Sequence, residues 1–228
     1  YPLTAGLPEL CQACADWMRR RYDRLTVNPD TEVLPVLGSR EALFSFVQTV
    51  LNPASDDLKP VILSPNPFYQ IYEGAAILGG GEIRFANCPA PSFKPDWKSI
   101  TGDVWQRTKV MFVCSPNNPS GSVLQLEDWK EIFDLQDKYG FIIASDECYS
   151  EIYFDGNKPI GGLQAAAQLG RSNRNIVMFT SLSKRSNVPG LRSGFVAGDA
   201  ALLKDFLLYR TYHGSAMGIP VQMASIAA

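Results

Sequence analysis

The stretch "VMFVCSPNNPSG", Val110–Gly121, carries the reading of the fold. Five apolar residues long enough for a strand run straight into a cluster of Ser, Pro, Asn and Gly. A continuous apolar run of that length suits a strand buried on both faces. The same pattern recurs along the chain. "EVLPVL" (Glu32–Leu37) leads to "GSR", "VIL" (Val61–Leu63) to "SPN", "FIIA" (Phe141–Ala144) to "SDECY", and "IVMFT" (Ile176–Thr180) to "SLSK". A further apolar run, "GFVAG", spans Gly194–Gly198. Pro35 weakens the first of these as a strand, since proline removes a ladder donor.

Between the runs lie stretches with helical periodicity: Leu7–Arg24, Glu41–Leu51 and Leu126–Tyr139. In the last, Leu126, Trp129, Ile132 and Phe133 mark one face, and Glu127, Lys130, Glu131, Asp134 and Lys138 the other. Buried strands alternating with helices predict an α/β fold: three αβα layers with a mainly parallel sheet. The Pro-rich piece "NCPAPSFKPDW" (Asn87–Trp97) is expected to be a loop inside this domain. In such a sheet, ligands bind beyond the carboxyl ends of the strands. Five polar clusters are thus aimed at one edge.

Composition narrows the function. The chain has 228 residues, 46% hydrophobic and 19% charged, with a net charge of −2. That near-neutral balance gives no support for binding nucleic acid. No apolar run approaches the ~18 residues of a membrane span, and no signal peptide is visible. The five cysteines are scattered and odd in number, which fits a reducing, cytoplasmic compartment. Cys11 and Cys14 form a C-x-x-C, but they fall on the apolar face of a predicted helix and are expected to be core thiols. The only histidine, His213, argues against a histidine metal site or a Ser–His pair, so no metal is expected. There is no G-x-G-x-x-G, and "LGGGE" (Leu78–Glu82) follows a helical stretch, so a nicotinamide dehydrogenase fits poorly.

The clusters suggest one ligand. "GSREAL" puts Gly38, Ser39 and Arg40 at a helix start, where backbone N–H groups and the helix dipole favour a phosphate. Ser181 and Arg192 add a hydroxyl and a bidentate cation. Asp146 ends an apolar strand and needs a cationic partner such as a protonated ring nitrogen. Asn118 and Tyr149 suit a phenolic oxygen, and Phe68 can lie on a flat ring. Lys184, alone in "SLSK", suits an aldehyde, because a lysine that is desolvated or near other cations becomes nucleophilic. Phosphate, basic ring nitrogen, ring hydroxyl and aldehyde together describe pyridoxal 5′-phosphate.

The chain also resembles, over its whole length, the large domain of fold-type I, class I/II aminotransferases. "NNPSG" is similar to the family's Asn-Pro-(Thr/Ser)-Gly, "SDECY" to its Asp-x-x-Tyr, and "SLSK" to its Ser-x-(Ser/Thr)-Lys, with Arg192 eight residues after Lys184. The resemblance implies that Lys184 is the Schiff-base lysine and proton carrier and that Asp146 pairs with the pyridine nitrogen. It implies that Asn118 and Tyr149 contact the ring oxygen, Tyr149 among the catalytic residues, and that Phe68 stacks on the ring. It implies that Ser39, Arg40, Ser181 and Arg192 surround the phosphate, with Ser39 and Arg40 able to do so through backbone only. Tyr1, in "YPLTAG", matches the tyrosine that reaches the phosphate of the partner subunit, which implies a homodimer.

Residues 1–228 are then expected to be an excerpt lacking an N-terminal arm and the small C-terminal domain with the family's substrate-carboxylate arginine. "NPFYQIYEGAA" and "SLSKRSNVPGLRSGFVAGD" look most like bacterial N-succinyldiaminopimelate aminotransferases of lysine biosynthesis. The implied substrates are small amino and keto acids. The alternatives are another enzyme on the same scaffold (an aspartate or aromatic aminotransferase, or a C–S β-lyase) and the cofactor-sensing domain of a transcription regulator.

Overall fold

The computed structural model describes residues 1–51, 58–214 and 216–228. Helix α1 (Pro8–Arg21) opens the chain, with Pro8 at its first turn where a missing N–H costs nothing. Strand β1 (Val33–Val36) and helix α2 (Ser39–Val50) follow, then β2 (Val61–Asn66), α3 (Ile71–Leu78) and β3 (Glu82–Asn87). The middle of the chain contains α4 (Gly102–Arg107), β4 (Thr108–Cys114), α5 (Leu126–Tyr139), β5 (Ile142–Asp146) and α6 (Gly162–Gln168). It ends in β6 (Ile176–Ser181), the single-turn α7 (Leu182–Arg185), β7 (Gly194–Gly198), α8 (Ala200–His213) and α9 (Ile219–Ala227).

The strands form one seven-stranded sheet in the order β1-β7-β6-β5-β4-β2-β3. The pairs β6–β5, β5–β4, β4–β2 and β2–β3 are parallel, whereas β7 runs antiparallel to both β6 and β1. The predicted mainly parallel α/β sheet is the observed one.

Alternation along the strands divides the core. Met111, Val113, Ile143 and Met178 face α1, α5 and α6, packing with Met18, Trp129, Phe133 and Leu163. Their neighbours Val110, Phe112, Ala144, Val177 and Phe179 face α2, α3 and α8, packing with Phe46, Tyr72 and Phe206. Phe46 meets the edges of Phe179 and Phe206 at centroid distances of 5.4 and 5.6 Å. Each such fully buried apolar side chain contributes about 1.5–3 kcal/mol, so both helical layers are held by area burial on the sheet.

Two details depart from the sequence reading. Pro35 is inside β1, where it is tolerated because β1 is an edge strand with one unpaired side. β3, unmarked by any apolar run, is the opposite edge; only Ala86 of its six residues is buried, so its composition (Glu82, Arg84, Asn87) is that of an edge. Cys11 is buried and Cys14 half-buried on α1. Burial pushes the Cys11 thiol up to about 11, which leaves it unreactive. Among the described residues no helix is long and apolar enough to cross a membrane, and no group of side chains could hold a metal.

Candidate active site

The carboxyl ends of β2, β4, β5 and β6 lie along one edge because these strands are parallel and in register, Cys114 opposite Asp146 and Asp146 opposite Phe179. This brings the clusters from five parts of the chain together.

Asp146, the last residue of β5, is 4% exposed. Its Oδ2 accepts a hydrogen bond from the Tyr72 hydroxyl at 2.7 Å, and its Oδ1 one from the Cys148 backbone N–H at 3.3 Å. Burial raises its carboxyl pKa above the usual range; the two bonds pull it partly back. No charged neighbour acts on it among the described residues. Tyr72 is itself fully buried, its ring stacked on Phe112 at 4.2 Å, and burial next to Asp146 keeps its phenol protonated as a donor. Asp146 is thus a carboxylate fixed in direction, with no counter-charge of its own.

About Ser39 a second group assembles. Ser39 starts α2, and Gly38 before it has φ +84°. A Cβ on Gly38 would lie 2.7 Å from Arg192 Nη2, so only glycine lets the guanidinium lie against this helix start. Arg192 donates from Nη1 to the Pro189 carbonyl at 3.0 Å and from Nη2 to the Leu37 carbonyl at 3.4 Å, and stays exposed. Ser181, buried at the end of β6, caps the turn that carries Lys184. Between the two serines sits Cys148, with Sγ 2.9 Å from Ser39 Oγ and 3.9 Å from Ser181 Oγ. The guanidinium of Arg40 does not join this group. Its Nε donates to the Tyr69 hydroxyl at 2.5 Å and its guanidinium lies over the Tyr69 ring.

Lys184 is exposed, its Nζ 6.0 Å from the Tyr149 ring centroid. Tyr149 and Asn118 line one cavity of about 990 Å³ with Asn117, Tyr153 and Lys158. Phe68 is half-buried and packs on Phe85 at 4.8 Å. Tyr1 is fully exposed.

The connection from β5 to α6 carries Cys148 and Tyr149 and is pinned from beneath. Glu147 is buried and accepts from Tyr22 Oη at 2.7 Å, Ser145 Oγ at 2.8 Å and Gly162 N at 2.8 Å. Arg21 pairs with Glu151 and donates to the carbonyls of Ser150 at 2.9 Å and Pro159 at 3.1 Å. Sequence reasoning missed Tyr72, Cys148 and Glu147. The doubled acid of "SDECY" was a signal for Glu147; nothing local marked Tyr72, whose partner lies 74 residues away.

The fold and this edge define an α/β protein with two serine hydroxyls, an arginine beside a helix start and a directed, buried carboxylate at one sheet edge. A likeness to known proteins makes the class specific. The profile of the family described as "Aminotransferase class I and II" matches residues 1–227, and the chain belongs to that family. Members of this family use pyridoxal phosphate. The chain is 34% identical over 231 residues to the LL-diaminopimelate aminotransferase of Dehalococcoides mccartyi, an alignment covering all of this chain and 56% of that protein. The crystal structure of an aminotransferase from Neisseria meningitidis Z2491 superposes with a TM-score of 0.97 at 81% identity, over 100% of this chain and 57% of that one. A probable N-succinyldiaminopimelate aminotransferase from Thermus thermophilus gives a TM-score of 0.87 at 25% identity, over 96% of this chain and 56% of that one. The chain therefore spans a little over half the length of the relatives it matches.

Proposed function

We propose that the whole protein is a transaminase that uses pyridoxal phosphate to pass an amino group between glutamate and N-succinyl-2-amino-6-ketopimelate, in the cytoplasm, as a homodimer. One observation carries the cofactor site: Asp146, buried and without a counter-charge, shares its loop with the thiol that joins Ser39 and Ser181. Donors for a phosphate and an acceptor for a protonated ring nitrogen are thus linked through one residue, Cys148.

Bound there, pyridoxal phosphate supplies an electron sink for the pair left when the substrate α-proton departs. The chain's residues do the rest. Asp146, aimed by Tyr72 and the Cys148 N–H, holds a proton on the ring nitrogen, and a cation there offsets the cost of its burial. Asn118 and Tyr149 bond the ring oxygen, and Phe68 packs on the ring. Ser39, Ser181, Arg192 and the N–H of Arg40 hold the phosphate, and Tyr1 adds its hydroxyl to the partner subunit's site. Lys184 Nζ would hold the aldehyde group, and as a free amine it would be the base that moves the substrate α-proton.

"NPFYQIYEGAA" and "SLSKRSNVPGLRSGFVAGD" favour the N-succinylated keto acid, as does the name of the Thermus relative. A second reading, transfer to or from unacylated LL-diaminopimelate, is favoured by the name of the Dehalococcoides relative. Both keep a long dicarboxylic amino acid and a glutamate partner. Steady-state kinetics on the full chain tests them: parallel double-reciprocal lines are expected with glutamate and the succinylated keto acid. Higher kcat/KM with LL-diaminopimelate and 2-oxoglutarate would move the assignment to the second reading. A strong preference for aspartate, alanine or an aromatic amino acid would remove both and leave the transaminase.

A further inference from the structure

Cys148 stands between the residue assigned to the ring nitrogen, Asp146, and one assigned to the ring oxygen, Tyr149. Its own side chain reaches a third place. The thiol is 8% exposed and its S–H donates to Ser39 Oγ at 2.9 Å, with Ser181 Oγ 3.9 Å from the same sulfur. Its backbone N–H meanwhile donates to Asp146 Oδ1 at 3.3 Å. One residue therefore touches the start of α2, the cap of α7 and the carboxylate at the end of β5.

A serine hydroxyl has one proton and two lone pairs. Alone at a helix start, the Ser39 proton can turn toward any nearby acceptor. When the sulfur donates into one lone pair, the hydroxyl proton is left for a different acceptor. The two bonds in series, S–H to O–H to acceptor, also strengthen each other. Burial and the neighbouring Asp146 hold the thiol well above its usual range, so it stays a neutral donor and adds no negative charge beside Ser39.

We propose that Cys148 is the positioning residue for the phosphate end of the cofactor: its S–H occupies one lone pair of Ser39 Oγ and so directs the Ser39 hydroxyl proton to the anion. The proposal rests on the cofactor reading above. It makes Cys148 a residue that acts through Ser39.

The test is binding to the full chain stripped of cofactor, comparing pyridoxal phosphate with pyridoxal, which lacks the phosphate. Cys148→Ala should weaken pyridoxal phosphate about tenfold, the loss of one well-placed hydrogen bond, and change pyridoxal less than about twofold. Cys148→Ser, which keeps a donor, should recover most of the loss. Cys148→Val fills the same space without a donor and should behave like the alanine variant, which keeps the test open if alanine does not fold. Equal weakening of both ligands, no weakening of pyridoxal phosphate, or failure of serine to rescue would each overturn the proposal. A wild-type chain that binds neither ligand would instead remove the cofactor reading itself.

Discussion

Asp146 faces two opposed demands. The proposed ring-nitrogen role needs it ionised, and the apolar end of β5 resists that. Because burial raises its folded-state pKa, Asp146 favours the fold while protonated. That contribution is complete below the ordinary aspartate value of about 3.9 and is lost as pH rises through the raised folded value. Glu147, raised by burial as well, adds to the same slope. Cofactor-free protein should therefore lose stability from acid toward neutral pH over the range of these two groups. Asp146→Asn should melt higher than wild type near about pH 8, by about 2–4 °C per kcal/mol relieved, and the gap should close toward about pH 4. The same variant should bind cofactor yet lose about 10²–10³-fold in turnover. Calorimetry across pH together with kcat checks both halves; near-normal turnover would remove the ring-nitrogen role. Lys184 has a simpler test. Borohydride reduction of the yellow holoenzyme should bleach its colour and leave the label on the peptide holding Lys184. Lys184→Ala should abolish covalent attachment, and a label on any other lysine would remove the assignment.

At the scale of elements, the β5–α6 connection decides where Cys148 and Tyr149 stand. It has little regular structure, and α1 holds it through Tyr22 to Glu147 and Arg21 to Glu151, Ser150 and Pro159. Tyr22→Phe keeps the ring packed but takes away one of three donors to a buried carboxyl group. The expected cost is about 1–3 kcal/mol, read from a urea midpoint with an unchanged m-value. Gly161→Ala should cost at least as much, because its Cβ would lie 2.1 Å from Glu147 Oε2, and the carboxyl group is held by one bond to Oε2 and two to Oε1. Wild-type stability in either variant would show that the connection is held by something else. The helices and central strands around it were legible in sequence because their apolar periodicity is strong. β3 was not, since an edge strand needs no apolar run, and neither Pro35 nor the run containing it revealed which side of the sheet would tolerate a proline.

For the whole molecule the question is what lies beside this edge. Tyr1 is exposed, and the proposed homodimer assigns it to the site of the neighbouring subunit. Sedimentation of the full chain should give a dimer, and Tyr1→Phe should weaken pyridoxal phosphate more than pyridoxal; a fully active monomer would contradict the assembly. Much of this protein was determined by its sequence alone. Helices α1, α2 and α5 and the central strands follow from where amphipathic stretches and apolar runs fall, and Lys184, Asp146 and Asn118 are picked out by the polar clusters that end three of those runs. The tertiary structure alone decided the rest. Tyr72 aims Asp146 from 74 residues away, Cys148 joins Ser39 to Ser181, and Arg40 turns aside to Tyr69. Those contacts depend on strand register and on which helix covers which face, and both are set by the packing of the folded chain.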